Sequence, residues 1–427
     1  MKTLLQNARI LKMDDTPIFI GSIVIEDKRI VYIGSDYEQY GPFDVVHDCL
    51  GNVLMPGFKN AHTHNAMTFL SSKTDDLALH DWLFNAVFPR EKLLKEDDVY
   101  HLSKVAFLEL LSSGITACFD QYYFPLSTAK AAEEMGFKVV LLGTYNTLYG
   151  PKELKTLYLT LNSKKDSLIR YCFGIHAEYT TNDEEVKVIS DLVHELHAPF
   201  FTHICETKAE VEDCFNRRGM SPVEYLDANG LFDYGGGAYH CVYLSPKDIE
   251  IFKKHNLTVV TCPGSNSKLA SGIAPIADYM KEGLNIALGT DGPASNNCLD
   301  MFKEMMLVTN LQKLIKQDSS VVPAYEVLKM ATVNAAHAMG MFDNDILEVG
   351  KRADIIEIDL HRPNMQPLNN IINNIVYSGS KDNIKMTMID GKILYLGRRF
   401  KIDEDEENIY QKAQEVSDRI DQELANQ

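Results

Sequence analysis

The sequence lacks the features that mark secreted and membrane-spanning proteins. Its first residues contain no basic start followed by a long apolar region, and no apolar stretch approaches the roughly 20 residues that a membrane-spanning helix requires. The eight cysteines are scattered and form no C-x-x-C pair, which is typical of reduced thiols in a cytosolic protein. These absences predict a cytoplasmic protein that does not bind a membrane.

Two further absences concern ligands. The formal net charge of −18 leaves no general basic surface, so we expect no binding to nucleic acid. Neither glycine-rich phosphate motif, G-x-G-x-x-G or G-x-x-x-x-G-K-S/T, occurs in the chain. The expected partner is a small-molecule substrate, and the missing phosphate turns count against an open doubly wound sheet.

Strand-like apolar runs alternate with helix-like segments through most of the 427 residues. The eight strand candidates are residues 53–58, 115–121, 138–145, 171–177, 199–204, 237–242, 257–262 and 285–290. The segments between them, such as 97–113, 127–135, 183–197, 246–255 and 299–316, repeat apolar residues at i, i+3 and i+4. Eight such units predict a (β/α)8 barrel, because an open doubly wound sheet would also require a glycine-rich phosphate turn.

Both ends of the chain contain short strands instead of β/α units. Hairpins are predicted around Asp27-Lys28 and around Asp390-Gly391, each flanked by apolar runs. Because the two ends resemble each other, we predict one discontinuous β domain from residues 1–55 and 346–427, beside a barrel of residues 56–345. From about Glu407 the chain predicts an acidic surface helix.

Polar side chains follow the predicted barrel strands at their carboxyl ends. Catalytic groups of (β/α)8 barrels lie at this edge. The residues found there are His62, His64, His176, His203, His240 and Asp291. Each one alone is also explained as a hydrogen-bonded rim residue or a turn former. Their number at one edge favours a common site.

The donor set at this edge suits a metal ion. His62 and His64 are two residues apart and point to the same side of an extended strand. With His203 and Asp291 they offer three imidazoles and one carboxylate, a set that binds zinc or iron and leaves one position for water. The sequence therefore predicts one divalent metal ion, Zn²⁺ or Fe²⁺, and hydrolysis by a water that the metal activates.

The remaining polar residues fit roles around such a water. Asp291 is suited to take its proton, and Glu206, three residues beyond His203, is suited to donate a proton to a leaving group or ring nitrogen. We expect His240 to orient the nucleophile and His176 to bind the substrate. An electrophilic carbon that carries an amino group fits this arrangement.

With these residues the chain resembles the amidohydrolase superfamily, and within it the metal-dependent aminohydrolases. The shared motifs are Pro56-Gly57-Phe58, His62-Thr63-His64, His203-x-x-Glu206-Thr207, His240, Ser265-Asn266 with Lys268-Leu269, Gly289-Thr290-Asp291-Gly292 with Ala294-Ser295-Asn296-Asn297, and Gly350-Lys351-Arg352-Ala353-Asp354. The resemblance implies a (β/α)8 barrel with a β-sandwich from both termini and one metal ion on His62, His64, His203 and Asp291. It also implies proton transfer by Glu206 and contact of His240 with the attacking water.

The likeness extends further to S-adenosylhomocysteine and 5′-methylthioadenosine deaminases, through Met67-Thr68, Asp81-Trp82-Leu83 and Pro89-x-Glu91. It implies that Glu91 binds ribose hydroxyls, that Trp82 packs against the substrate, and that His176 contacts the purine or its sugar. A core anchor is the other interpretation of Trp82, the only tryptophan. Where relatives hold the substrate tail with an arginine, this chain has Gly143-Thr144, which favours a neutral nucleoside.

The leading hypothesis is a metal-dependent hydrolytic deaminase of an aminopurine nucleoside that releases ammonia. The substrate would be 5′-methylthioadenosine, 5′-deoxyadenosine, adenosine or S-adenosylhomocysteine. The alternatives are a guanine deaminase, a hydrolase of another amino- or chloro-substituted heterocycle, and a barrel that serves as a non-catalytic scaffold. The unrelated zinc deaminases are excluded, since the chain has no P-C-x-x-C pair. Assembly into a homo-oligomer stays open.

Overall fold

The structure, a computed structural model, describes residues 1–77, 81–146, 148–164 and 166–426. Its first five strands are β1 (Lys2–Ile10), β2 (Phe19–Glu26), β3 (Arg29–Gly34), β4 (Val45–Asp48) and β5 (Val53–Pro56). β1 pairs with β2, and β2 pairs with β3, both antiparallel. Glu26 lies opposite Arg29, so the hairpin predicted at Asp27-Lys28 is present.

Eight parallel strands follow and form the predicted barrel. They are β6 (Phe58–Thr63), β7 (Ile115–Asp120), β8 (Lys138–Gly143), β9 (Ile169–Ala177), β10 (Phe200–Ile204), β11 (Gly236–His240), β12 (Thr258–Thr261) and β13 (Asn285–Leu288). Each pairs with the next in chain order. The two outer strands also approach each other, because the backbone N–H of Asp291 donates to the carbonyl of His62 at 3.0 Å. The sheet is thus nearly closed, and the (β/α)8 fold is confirmed.

Helices connect the strands and cover the outside of the barrel. The α-helices are Phe88–Glu91, Glu96–Ser112, Pro125–Met135, Pro151–Leu161, Asp183–Leu196, Lys208–Arg218, Pro222–Ala228, Pro246–Lys254, Pro263–Lys268, Ile276–Lys281, Pro293–Asn296, Met301–Lys316, Ala324–Ala331, Val333–Ala338, Ile371–Asn373 and Glu406–Ala425. Short 3₁₀-helices lie at Glu38–Tyr40, Asn65–Leu70, Glu178–Thr180, Pro363–Met365 and Lys381–Asn383, and π-helical turns lie at Trp82–Val87 and Asn374–Ser378. All five segments predicted from apolar periodicity are helical.

The start of the barrel differs from the prediction. The apolar run at 53–58 predicts its first strand, but β5 pairs with strands of the two termini and β6 begins the barrel. The chain passes from one sheet to the other at Gly57, where a Cβ would lie 2.2 Å from Thr116 Cγ2. Only glycine fits this crossing, and one uninterrupted apolar run therefore serves two sheets.

The two termini share one mixed sheet, which confirms the predicted terminal β unit. Its C-terminal strands are β14 (Ile355–Ile358), β15 (Ile384–Ile389), β16 (Lys392–Leu396) and β17 (Arg399–Phe400). β14 pairs antiparallel with β5, so the two segments are hydrogen-bonded to each other, and β15 and β16 form the hairpin predicted at Asp390-Gly391. The division into residues 1–55 with 346–427, and 56–345, stays a prediction for the domain boundaries.

A buried ion cluster joins this sheet to the barrel. Lys138, at the start of β8, lies 2.6 Å from carboxylate oxygens of both Asp354 and Asp390. Arg352 makes a second ion pair with Asp390. The side chains of all four are at most 9% exposed, so each charge depends on its partners.

The C-terminal helix Glu406–Ala425 packs against the barrel. Its Val416 and Ile420 lie in the same buried cluster as Trp82 and Met67. Ion pairs at the edge of this contact include Lys73 with Asp421 and Arg419 with Asp98. The acidic helix predicted here is therefore amphipathic. In the described part of the chain no helix has the length and hydrophobicity needed to cross a bilayer.

Candidate active site

Three histidines and one aspartate converge at the carboxyl ends of β6, β10 and β13. His64 Nε2 lies 3.2 Å from Asp291 Oδ1 and 3.3 Å from His203 Nε2. His62 Nε2 lies 3.4 Å from the same carboxylate oxygen. Ligand atoms of His62, His203, His240 and Asp291 all lie within 4.8 Å of one another. The structure thus brings together the four residues that the sequence singled out as metal ligands.

The hydrogen bonds of the histidines show that a cation fits here. His64 Nδ1 donates to the carbonyl of Gln121 at 2.6 Å, and His203 Nδ1 donates to the carbonyl of His176 at 2.7 Å. Because a carbonyl only accepts, each Nδ1 carries the hydrogen and each neutral ring presents the lone pair of Nε2. Both ring nitrogens of His62 are buried without a hydrogen-bond partner among the described residues. These free lone pairs suit a divalent metal ion.

Asp291 is held with one oxygen toward the histidines. Its Oδ2 accepts hydrogen bonds from Ser265 Oγ at 2.6 Å and Ser295 Oγ at 2.8 Å, while Oδ1 accepts from the N–H of Gly292. Its backbone has φ +61, a strained value for a residue other than glycine. Burial opposes ionisation, but the neighbouring imidazoles outweigh it and hold the pKa of Asp291 well below its ordinary value. The residue therefore supplies a carboxylate.

Glu206 and His240 face each other beside this cluster. The nearest approach between them is 4.0 Å, from His240 Nε2 to Glu206 Oε2. Ser271 Oγ donates to Glu206 Oε1 at 2.7 Å, and His240 Nδ1 donates to Asn266 Oδ1 at 2.7 Å. Burial opposes the charged imidazole, but the carboxylates of Glu206 and Asp291 prevail and raise the pKa of His240. Each side chain is thus held through one polar atom, and its second polar atom, Oε2 of Glu206 or Nε2 of His240, is available for the reaction.

A cavity of about 510 Å³ is lined by residues from both groups. Pockets of roughly 300–1,000 Å³ hold ligands of drug-like size. Among its walls are the candidate ligands His64, His203 and Asp291, the candidate acid–base residues Glu206 and His240, and the candidate substrate residues Trp82, Glu91 and His176. The predicted substrate contacts therefore share one cavity with the predicted metal site.

Glu91 is a buried carboxylate in the wall of this cavity. It is 8% exposed and accepts a hydrogen bond from Tyr122 Oη at 2.8 Å. Burial raises the pKa of Glu91 to about 7, although the hydrogen bond from Tyr122 opposes this shift. A buried carboxylate of this kind gains from ligand hydroxyls that donate hydrogen bonds to it.

Trp82 and His176 occupy other parts of the wall. Trp82 belongs to the buried cluster near the C-terminal helix, and its Nε1 donates to Thr74 Oγ1 at 3.0 Å. It also lines the cavity, so the two interpretations of this residue are compatible. His176 lies 3.0 Å from Thr180 Oγ1 through Nδ1, and burial, followed by the charge of His64, lowers its pKa to about 4. It is therefore a neutral group beside the ligands.

Sequence reasoning gave no role to several residues that orient the site. Ser265, Asn266 and Ser295 belong to motifs noticed in the sequence, and the structure shows that they hold Asp291 and His240. Ser271 and Gln121 lie outside every motif. Their contacts with Glu206 and His64 join distant parts of the chain, so no local pattern marks them.

Comparisons with known proteins agree with this geometry. The profile of the amidohydrolase family matches residues 53–394. A 5-methylthioadenosine/S-adenosylhomocysteine deaminase of Thermoanaerobacter pseudethanolicus is 38% identical over 421 residues, which cover 96% of this chain and 97% of the relative. A 5′-deoxyadenosine deaminase of Methanosarcina acetivorans is 37% identical over 426 residues and 98% of each chain. The crystal structure of an adenosine deaminase from Xanthomonas campestris with bound zinc matches with a TM-score of 0.92 and 29% identity over 98% of both chains. With its barrel, its donor cluster and these relatives, the chain belongs to the amidohydrolase family.

Proposed function

We propose that this protein is a metal-dependent deaminase that hydrolyses the amino group of an adenine nucleoside and releases ammonia. The candidate substrates are 5′-methylthioadenosine, 5′-deoxyadenosine, adenosine and S-adenosylhomocysteine. The observation that carries the proposal is one cavity that combines the histidine–aspartate cluster with Glu206, His240 and Glu91. The names of relatives that are 37–38% identical over almost the whole chain support the same activity.

The ion of this proposal is zinc, held by His62, His64, His203 and Asp291. Three imidazoles and a carboxylate suit zinc and also iron, and the adenosine deaminase neighbour has bound zinc. Bound here, the ion supplies Lewis acidity that lowers the pKa of a water toward about 7.

The proton transfers belong to side chains of the cavity. Asp291 takes the proton of the attacking water, and His240 orients that water through Nε2, since Asn266 fixes its Nδ1. Glu206 donates a proton to the ring nitrogen next to the carbon under attack. Ser271 holds Glu206 Oε1, so Oε2 is the oxygen that carries this proton. The amino group then receives the proton that Asp291 took from the water and leaves as ammonia, while the new hydroxyl group returns a proton to Glu206 as the product carbonyl forms.

The substrate contacts of the proposal come from three wall residues. Glu91 accepts hydrogen bonds from the ribose hydroxyls. Its carboxylate is buried, and the hydrogen bond described for it comes from Tyr122, so it can accept further hydrogen bonds. Trp82 packs against the nucleoside as an apolar surface. His176, next to His203, contacts the purine or its sugar and stays neutral.

Ammonia release by the purified, metal-loaded protein tests the proposal. The panel contains adenosine, 5′-methylthioadenosine, 5′-deoxyadenosine, S-adenosylhomocysteine, adenine, guanine and cytosine. We expect turnover confined to adenine nucleosides. Turnover of guanine alone would identify a guanine deaminase, and silence across the panel with metal bound would exclude purines.

A pair of glutamate variants tests the mechanism. Glu206→Gln should keep the metal but lose most turnover, because an amide cannot donate the acid proton. Glu184→Gln is the matched control, since Glu184 is exposed and lies outside the cavity walls. Full activity of Glu206→Gln would remove this residue from the mechanism.

A further inference from the structure

One part of the cavity wall is rich in tyrosine and contains none of the candidate metal ligands. Tyr145, Tyr149, Tyr171 and Tyr179 line it. They follow or belong to β8 and β9, whereas the candidate ligands lie at the carboxyl ends of β6 and β10 and after β13. We call these four residues the tyrosine wall. In the proposed function the amino group lies at the metal cluster and the ribose at Glu91 and His176. The tyrosine wall is then the part of the cavity that is left to contact the substituent on the 5′ carbon.

The tyrosine wall carries no positive charge that could bind an anion. Among the described residues that line the cavity there is neither lysine nor arginine, while Glu185 adds a carboxylate beside the wall. Arg217 and Arg218, in the helix Lys208–Arg218, are both bound to the buried Glu178, next to Tyr179. Their charges are therefore already paired outside the cavity.

The helix that follows β9 offers no substitute for a cation. The first turn of a helix favours an anion because its N–H groups are unpaired. Here Asp183, Glu184 and Glu185 occupy that turn, and Glu185 closes a capping box with Asn182. Negative charge thus already fills the helix start that borders the tyrosine wall.

The tyrosine wall also has no room for a basic side chain at position 143, which is a glycine. A Cβ on Gly143 would lie 2.1 Å from the hydroxyl of Tyr171. That hydroxyl is buried and has no hydrogen-bond partner in the described structure. The uncharged phenol of Tyr171 therefore fills the space that a side chain at position 143 would need.

We infer that the tyrosine wall receives the 5′ substituent and that it selects uncharged substituents over those that end in a carboxylate. The inference rests on the proposed function and deepens it. A carboxylate that enters this part of the cavity loses hydration without gaining a cationic partner. Methyl and alkylthio groups lose little hydration, and thioether sulfur packs well against aromatic rings.

The test uses two nucleosides that differ only in charge. Both are adenosines with the same four-carbon 5′-alkylthio chain, which ends in a carboxamide in one and a carboxylate in the other. We expect kcat/KM for the carboxamide to exceed that for the carboxylate at least tenfold. A ratio below ten would overturn the inference. If the protein deaminates no adenine nucleoside at all, including adenosine, the proposed function itself fails.

Variants separate charge from shape. Glu185→Gln keeps an oxygen that can accept from Asn182 and removes the charge, so the ratio should fall at least threefold. Thr144→Arg adds a cation to the lining, and there the ratio should fall at least tenfold, whereas Thr144→Gln should leave it as in the wild type. Glu184→Gln, outside the lining, should also leave it unchanged. Equal effects of Glu184→Gln and Glu185→Gln would contradict the role of Glu185.

Discussion

Replacement of Glu91 by glutamine tests the proposed ribose contact. An ionised carboxylate that accepts from two ribose hydroxyls makes two charge-assisted hydrogen bonds of about 1.5–3 kcal/mol each. The amide keeps one acceptor for Tyr122, so we expect Glu91→Gln to lose about 2–4 kcal/mol of transition-state binding. At 1.36 kcal/mol per factor of ten, kcat/KM for adenosine should fall roughly 30- to 900-fold.

The assay compares adenosine with 2′,3′-dideoxyadenosine at pH 8. At this pH Glu91, with a pKa of about 7, is mostly ionised in the wild type. Since dideoxyadenosine has no ribose hydroxyls, the variant and the wild type should use it almost equally. In the wild type, kcat/KM for adenosine should also fall as the pH drops below about 7, because protonation removes the acceptor charge. The variant should lack this loss.

The result that would refute the reasoning is a similar loss on both nucleosides. Glu91 would then support the cavity and not the ribose. Retention of bound metal and of thermal stability in Glu91→Gln is the control, since Gln can still accept from Tyr122.

Three further variants probe contacts around the site. Ser265→Ala removes a hydroxyl that holds Asp291, so metal affinity in equilibrium dialysis should fall roughly 10- to 100-fold. Ile420→Ala should cost about 2–5 kcal/mol of stability and shift the fluorescence of the single tryptophan, Trp82, to the red, because both belong to one buried cluster. Asp390→Asn should cost about 3–5 kcal/mol in urea unfolding at pH 7. Burial alone would raise the pKa of Asp390, but its cationic partners Arg352 and Lys138 outweigh burial and hold this pKa below 3.8. The difference in stability between the wild type and Asp390→Asn should therefore shrink as the pH falls below 3.8. Unchanged affinity, unchanged emission or a pH-independent difference would contradict the respective contact.

The barrel could be predicted because its strands and helices differ in period. Apolar runs alternate with helical repeats eight times, and the structure has eight parallel strands at nearly the same places. The first strand was misplaced because residues 53–58 form one apolar run that two sheets share. What divides the run is the close approach of Gly57 to Thr116, a contact between residues far apart in the chain.

The convergence of the metal cluster could be predicted for a similar reason. Parallel strands of a barrel end at one edge, so polar residues such as His203 and Asp291 at strand ends meet once the strands are known. The groups that orient them could not be predicted, because their partners come from loops. The hydroxyl of Ser271, for example, binds Glu206 across 65 positions of sequence.

Titration of the metal-free protein with zinc, with deamination of 5′-methylthioadenosine followed in parallel, tests the central claim most directly. The convergence of His62, His64, His203 and Asp291 predicts that bound zinc and turnover rise together and reach a plateau at one ion per chain. Turnover by the metal-free protein, or one bound ion without any turnover, would contradict a metal-dependent nucleoside deaminase.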